Sequence, residues 1–310
     1  MTISVILPTH DRPEGLAQTV ESILRQTRLP DELIVVNDGQ AEIDQALPAK
    51  AEAAGVRFIY RRRSPPSSAA SRNCALELAT GDIAMLLDDD IVAPGDLLAR
   101  LEALYAADTG GVVGGICGRY VEQGPTPLPS RVWQAIAAGL AENRWAPRVS
   151  AGRYASLPPA LRGRLVPTWR LVGGAASLRR RVYEQYRFTE AFGGYSLGED
   201  TEMSFRIGAR EALFAAPELT ILHVKAPEGR PANYQRGRCY VANMLYIARN
   251  SVQRGVGTWL LLGYHLAGMI ALAAVWSLLS LRRGNLRLAG GMAAELLAAV
   301  RGWVGRQLCG

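Results

Sequence analysis

Three times in the first ninety residues, a short unbroken apolar run stops abruptly on polar or acidic side chains. Ile3–Leu7 ends at Pro8-Thr9, Leu33–Val36 at Asn37-Asp38-Gly39, and Ile83–Leu87 at Asp88-Asp89-Asp90. Runs without polar alternation are buried on both faces, as in a parallel sheet covered by helices. The intervening segments supply those helices. Pro13 can open one with Leu16, Val20, Ile23 and Leu24 on a single face, a second runs through Ala69–Leu78, and Pro94 leads into a third through Leu97, Leu98, Leu101 and Leu104. A further strand is expected at Val56–Tyr60. Crossovers in such sheets are right-handed, and ligands sit beyond the carboxyl ends of the strands. The three polar endings therefore fall on one edge of one sheet, which is where a site is expected.

After residue 118 the periodicity loosens. Residues 123–130 are Pro-rich, Val132–Leu140 reads as a short amphipathic helix, and 146–168 is rich in Arg, Pro and Gly. Segments of this kind commonly form substrate loops over a rigid scaffold. Regular structure resumes near Arg170-Leu171-Val172-Gly173-Gly174 and continues to about residue 250. The chain thus divides into 1–250, in halves of about 1–118 and 119–250, and a helical segment at 251–310.

Residues 255–281 carry no charged side chain, and 27 uncharged residues suffice to span a bilayer as a helix. Beyond them, a stretch at about 285–308 is more amphipathic. Residues 255–310 hold Arg282, Arg283, Arg287, Arg301 and Arg306 against Glu295 alone, a net +4 of the chain's +7. A basic excess beside the most apolar stretch fits an anionic membrane surface, and no basic run interleaved with aromatics suggests nucleic acid. A single span at 258–281 would strand those arginines outside, against the positive-inside tendency. A helical hairpin, or two helices lying in the interface, avoids this. Cys74, Cys117, Cys239 and Cys309 show no paired spacing and read as plain thiols of a reducing compartment. The opening Met-Thr-Ile-Ser lacks a charged leader region, so the first domain is expected to be cytoplasmic. Only Lys50 and Lys225 are lysines in an Ala- and Arg-rich chain, which hints at a GC-rich bacterial source.

The residues at the sheet edge are compatible with more than one role. Asp88-Asp89-Asp90 repel one another unless water or a cation screens them, and such oxygens suit Mg²⁺ or Mn²⁺. A solvated acidic loop before the Pro94 helix fits the same residues. Asp38 can accept from a base or ribose, or simply close an Asn-Asp-Gly turn. Arg72 can meet a phosphate or form an ion pair. Far along the chain, Gly198-Glu199-Asp200 offers a carboxylate for general-base work, or an acidic first turn of a helix. His223, closing the run Leu219–Leu222, can complete a metal shell or be structural.

Taken in order, Pro8-Thr9-x-Asp11-Arg12, Val36-Asn37-Asp38-Gly39, Ser71-Arg72-Asn73, Gly81-Asp82, Leu87-Asp88-Asp89-Asp90, Gly173-Gly174 and Gly198-Glu199-Asp200 resemble family 2 glycosyltransferases over about residues 1–225. The resemblance implies a GT-A fold, a Rossmann-like and mostly parallel sheet with helices on both faces, here followed by C-terminal apolar helices. It also implies inverting transfer from a nucleotide-diphosphate sugar, with a UDP-sugar expected first. Pro8, Thr9, Arg12, Asp38, Arg72, Asp88 and Asp89 would belong to the nucleotide side. Asp90, with Asp88 and His223, would hold Mn²⁺ or Mg²⁺. Asp200 would be the base with Glu199 beside it, and Gly173-Gly174 would let the backbone approach the sugar. Asp11, Gln40 and His10 depart from the residues usual there; His10 reads as structural.

The acceptor is expected to be a lipid-linked or other saccharide, met at the cytoplasmic face of a bacterial inner membrane. Val132–Leu140, Trp133 and Trp145 would form part of its entrance. A sugar-phosphate nucleotidyltransferase would carry a Gly-rich basic loop where Pro8-Thr9-His10-Asp11-Arg12 stands. A non-catalytic membrane scaffold would not need Asp38, the aspartate run and Asp200 together.

Overall fold

The computed structural model describes residues 1–122, 149–192, 196–224, 232–250, 255–280 and 283–300. The Pro-rich stretch 123–130, Val132–Leu140 with Trp133 and Trp145, Gly193-Gly194-Tyr195, and Arg282, Arg301 and Arg306 lie outside the described residues. The described residues fall into two compact units. One takes 1–122, 149–189 and 199–224; the other takes 190–192, 196–198, 232–250, 255–280 and 283–300.

The first unit is organised on a nine-stranded sheet. Strands β1 (Ile3–Thr9), β2 (Glu32–Asn37), β3 (Arg57–Arg62) and β4 (Ile83–Leu87) run parallel in the order β3-β2-β1-β4. Helices α1 (Pro13–Leu24), α2 (Ala46–Ala53) and α3 (Ser68–Leu78) make the crossovers. Why the apolar runs lack alternation is now visible. Ile3, Val5 and Leu7 enter a core with Leu16, Val20 and Ile23 of α1, whereas Ile6 enters a second core with Ala69, Ala75 and Leu76 of α3. With helices on both faces every residue of Ile3–Leu7, Leu33–Val36 and Ile83–Leu87 is inside, whereas β3 at the sheet edge is partly exposed. Each large buried side chain contributes about 1.5–3 kcal/mol by leaving water. β1 and β4 are neighbours with connections leaving in opposite directions. The crevice beyond their carboxyl ends is the expected ligand position in such a sheet.

Beyond β4 the sheet becomes mixed. It includes β5 (Ile91–Val92), β6 (Val113–Glu122), β7 (Val166–Thr168), β8 (Ala175–Arg179) and β9 (Ala212–His223). β8 runs antiparallel to β4 and β6; β9 runs parallel to β6 and antiparallel to β5 and β7. The β6–β9 register shifts after Val113 and after Cys117. At the second shift, a Cβ on Gly118 would stand 2.5 Å from the Leu219 carbonyl oxygen, so the close approach requires glycine. Helices α4 (Leu97–Ala107), α5 (Val149–Arg153), α6 (Arg180–Tyr183) and α7 (Glu199–Gly208) complete this unit. Pro94 sits in the turn leading into α4, where its carbonyl accepts from the Leu97 N–H.

The second unit contains α8 (Asn233–Asn250), α9 (Val256–Ser280) and α10 (Arg283–Val300). Within α9, Val256–Leu278 has a mean hydropathy of 1.7 and is long and apolar enough to cross a membrane. Among its exposed positions, Val256, Leu260, Tyr264, Ala267, Ala271, Val275 and Leu278 repeat every three or four residues, which places them on one uncharged stripe; Gly257, Trp259 and Gly263 are exposed as well. On the opposite face His265 is buried, its Nε2 2.7 Å from the Tyr240 hydroxyl of α8. α10 crosses the first turns of α8 at two glycines: a side chain on Gly237 would overlap the Leu288 carbonyl, and one on Gly291 would overlap that of Tyr234. Beside the crossing, Arg238 donates to Glu295 at 2.8 Å. Cys74 and Cys117 are free thiols, but Cys239 is disulfide-bonded, so the expectation of four unpaired thiols does not hold.

Candidate active site

The site starts from the end of β2. Asp38 is buried, and its Oδ2 accepts from the Ser67 N–H (2.8 Å) and the Ser71 hydroxyl (2.7 Å). Its Oδ1 lies 2.8 Å from His10 Nδ1. Ser67 caps α3 in turn, its hydroxyl accepting from the Ala70 N–H. Asp38 therefore ties the start of α3 to the sheet edge, and its oxygens are engaged inside the protein. Nearby, Asp11 adopts φ 53° and accepts from the Gln40 and Ala41 N–H groups, which hold its carboxyl below the usual value.

With α3 fixed, Arg72 points across the site. Its Nη2 donates to Asp88 Oδ1 at 2.8 Å; its Nη1 donates to the Ser68 hydroxyl at 2.8 Å and to Glu199 Oε1. Arg72 is 7% exposed, and its guanidinium lies over the Phe188 ring. One cation thus links the aspartate run after β4 to the first turn of α7.

The three aspartates divide. Asp89 turns inward: Oδ2 accepts from the Thr9 hydroxyl (2.7 Å) and Oδ1 from Arg12 (3.0 Å). Burial raises its pKa against the pull of Thr9 and Arg12. Thr9 and Asp89 clasp the ends of β1 and β4, and Pro8 lies within β1, level with Val36. Asp88 and Asp90 instead face His223 at the end of β9, whose Nε2 is 3.1 Å from Asp90 Oδ1. One ligand atom from each of Asp88, Asp90 and His223 lies within 4.8 Å of the others. Two carboxylate oxygens and one imidazole nitrogen suit Mn²⁺ well and Mg²⁺ acceptably. Arg12 also reaches Asp90, at 3.4 Å.

Tyr120 of β6, which the sequence did not single out, touches two of these residues. Its hydroxyl donates to Asp88 Oδ2 at 2.7 Å, and its ring stacks on His223 with centroids 4.7 Å apart. Burial, then the Asp88 charge, push its pKa well above the usual phenol value, so the hydroxyl stays protonated.

On the far side of Arg72, Asp200 Oδ2 accepts from Arg170 (2.9 Å) and more weakly from the Gly173 N–H (3.4 Å), and Oδ1 accepts from the Thr201 N–H (2.7 Å). Burial alone would raise its carboxyl; the Arg170 guanidinium and the Thr201 amide outweigh it, and the pKa falls below the usual value. Gly173 and Gly174 separate Asp200 from Asp88. A side chain on Gly174 would overlap Asp88 Oδ2 and the Tyr120 hydroxyl, so this glycine is needed for contacts within the protein itself. Arg170, like Tyr120, gave no signal beyond its residue type. The assembled site gathers two carboxylates and an imidazole that could hold a metal ion at the β1/β4 crevice, and a carboxylate whose pKa is lowered across Arg72 from them.

Comparison with known proteins agrees with this architecture. The model of the family described as "Glycosyl transferase family 2" matches residues 4–187. A glucosyl-dolichyl phosphate glucuronosyltransferase of Haloferax volcanii is 30% identical over 141 residues, covering 44% of this chain and 45% of that protein. An uncharacterized glycosyltransferase of Bacillus subtilis is 33% identical over 110 residues, covering 35% and 40%. The chain spans less than half the length of these curated relatives. Among solved structures, the mannosyltransferase PcManGT of Pyrobaculum calidifontis, in complex with GDP-Man and Mn²⁺, has a TM-score of 0.56 at 17% identity, covering 98% of this chain and 87% of that one. Residues 1–349 of Staphylococcus aureus TarS in complex with UDP-GlcNAc give 0.53 at 13%, covering 99% and 93%. At these identities the likeness is one of fold, and the fold is GT-A. With the family model matched over more than half of its length, the chain belongs to glycosyltransferase family 2.

Proposed function

We propose that this protein is an inverting glycosyltransferase that moves a sugar from a nucleotide-diphosphate donor to a hydroxyl of a membrane-associated saccharide. The observation that carries this reading is the convergence of Asp88, Asp90 and His223 beyond the β1/β4 crevice, with Asp200 across Arg72 from them. A UDP-sugar is the first donor proposed, from the family resemblance and the UDP-GlcNAc complex of TarS; GDP-Man, bound by PcManGT, is the second to test. Asp88, Asp90 and His223 would hold Mn²⁺ or Mg²⁺. Bound there, a divalent cation supplies Lewis-acid neutralisation of charge on a departing diphosphate.

The chain's own residues supply the rest. Asp200 accepts the proton of the acceptor hydroxyl as its oxygen bonds to the anomeric carbon. The bond from that carbon to the diphosphate breaks, and the electron pair leaves with the nucleotide. A single displacement of this kind inverts the anomeric centre. Arg170 keeps Asp200 ionised and oriented, at some cost in basicity. Arg72 fixes Asp88 and Glu199 on either side.

A lipid surface is proposed for α9, supported by its uncharged exposed stripe. A lipid-linked acceptor is supported by the name of the Haloferax relative, which refers to glucosyl-dolichyl phosphate. The cytoplasmic face remains the proposed side. The return of α10 onto the first turns of α8 favours a hairpin or in-plane arrangement over a single span.

The test is thermal stabilisation of detergent-purified protein by UDP-, GDP- and other nucleotide sugars, with and without Mn²⁺, for wild type and Asp90→Ala. A donor at 100 times its dissociation constant should stabilise by about 2.7 kcal/mol. This gain is expected only with Mn²⁺ and is expected to vanish in Asp90→Ala. If a folded wild-type protein responds to no donor, the transferase reading gives way to a non-catalytic one.

A further inference from the structure

We propose that Tyr120 is the positioning residue of the cation site, holding two of its three ligands with one side chain. The proposal rests on the reading of Asp88, Asp90 and His223 as that site. Side chains alternate along a strand, so residues two apart share a face. In the β6–β9 register Tyr120 is level with Ile221, which puts it on the same face as His223 two residues further on. From there the phenol reaches both neighbours. Its hydroxyl donates to Asp88 Oδ2 at 2.7 Å, and its ring lies on the imidazole at an interplanar angle of 20°.

Each contact does something no other residue described at the site does. Asp88 Oδ1 is already held by Arg72, at 2.8 Å. A carboxylate pinned at one oxygen can still rotate, and the Tyr120 bond to the other oxygen fixes its plane while leaving each oxygen a second lone pair. For His223, the Nε2 contact to Asp90 orients the ring only while Nε2 is not offered to a cation. The Tyr120 face orients it in both states. Gly174 points to the same arrangement independently. Any side chain there would overlap both Asp88 Oδ2 and the Tyr120 hydroxyl, so the backbone is shaped around this hydrogen bond. Partners that orient metal ligands typically contribute about 10–100-fold in affinity.

The experiment measures Mn²⁺ binding by the EPR signal of free Mn²⁺, on the full-length protein in detergent, alone and with saturating UDP or GDP. Tyr120→Phe keeps the stack and loses the hydrogen bond; Tyr120→Leu loses both. The expected result is Mn²⁺ affinity about 10-fold weaker in Tyr120→Phe and about 100-fold weaker in Tyr120→Leu. The metal-free melting temperature of Tyr120→Phe should stay near wild type, which separates positioning from general packing. Wild-type binding with equal affinity in both variants overturns the role of Tyr120 and leaves the cation site standing. No Mn²⁺ binding by wild type in any arm overturns the site and the inference together.

Discussion

Asp200→Asn is expected to reduce sugar transfer by a factor of about 10²–10⁴, the range general-base catalysis contributes, while donor-induced thermal stabilisation stays at the wild-type level. The amide matches the carboxylate in size but has no basic oxygen with which to take the acceptor proton. The pH dependence gives a second handle. Arg170 and the Thr201 amide hold the Asp200 carboxyl below its usual pKa, so the base should stay ionised as pH falls through the ordinary carboxylate range. The acid limb of kcat/KM should therefore lie below that range. Arg170→Ala removes the principal charge lowering that pKa, so the limb should move to higher pH. Transfer by Asp200→Asn at the wild-type rate would falsify the base assignment, and an unmoved limb in Arg170→Ala would detach the limb from Asp200.

The largest stability effect in the site is expected from Arg72→Ala. Its guanidinium is the common partner of Asp88 Oδ1, Glu199 Oε1 and the Ser68 hydroxyl. Glu199 is 4% exposed, and among the described residues its Oε2 has no hydrogen-bond partner. Removing the cation leaves a buried carboxylate uncompensated. Breaking one side of such a pair costs about 3–5 kcal/mol. At roughly 2–4 °C per kcal/mol for a domain of this size, the melting temperature should fall by several degrees at least. Arg72→Lys should recover only part of the loss, because one ammonium cannot span partners that the guanidinium fork reaches in different directions. Melting of Arg72→Ala within 1–2 °C of wild type by calorimetry would show that Glu199 is neutralised or solvated some other way.

How much of this the sequence disclosed depended on whether the information was local. Ile3–Leu7, Leu33–Val36 and Ile83–Leu87 are buried on both faces, so their lack of alternation was itself the signal, and their polar ends marked the edge. The mixed half of the sheet was harder. β6 carries Gly114, Gly115 and Gly118 in strand positions, and β9 runs through Pro217. Such residues weaken a strand, and the register shifts between the two strands accommodate them. Asp88, Asp90, His223 and Asp200 were singled out because they follow apolar runs or a Gly-rich stretch, and the structure brings the first three within 4.8 Å of one another. Tyr120 and Arg170 were not: their roles depend on which strand or turn faces them, and no spacing along the chain encodes that. The glycine pair Gly173-Gly174 was flagged for closeness to the sugar, whereas the structure gives Gly174 a reason within the protein.

The glycine crossing in the helical unit bears on how the protein is handled. Proteins with an apolar C-terminal helix are often shortened there to make them easier to purify. Here, cutting at residue 282 would remove α10 and open to solvent the strip of α8 backbone that Gly237 and Tyr234 hold against Leu288 and Gly291, and would leave Arg238 without Glu295. Such a shortened protein should melt lower and aggregate more, the opposite of what the cut is meant to achieve. Replacing outward-facing side chains such as Leu260, Tyr264 and Leu278 with serine leaves that crossing intact. Vesicle flotation of the serine variants beside the shortened protein would test the proposed lipid attachment with the packing of α8, α9 and α10 left in place.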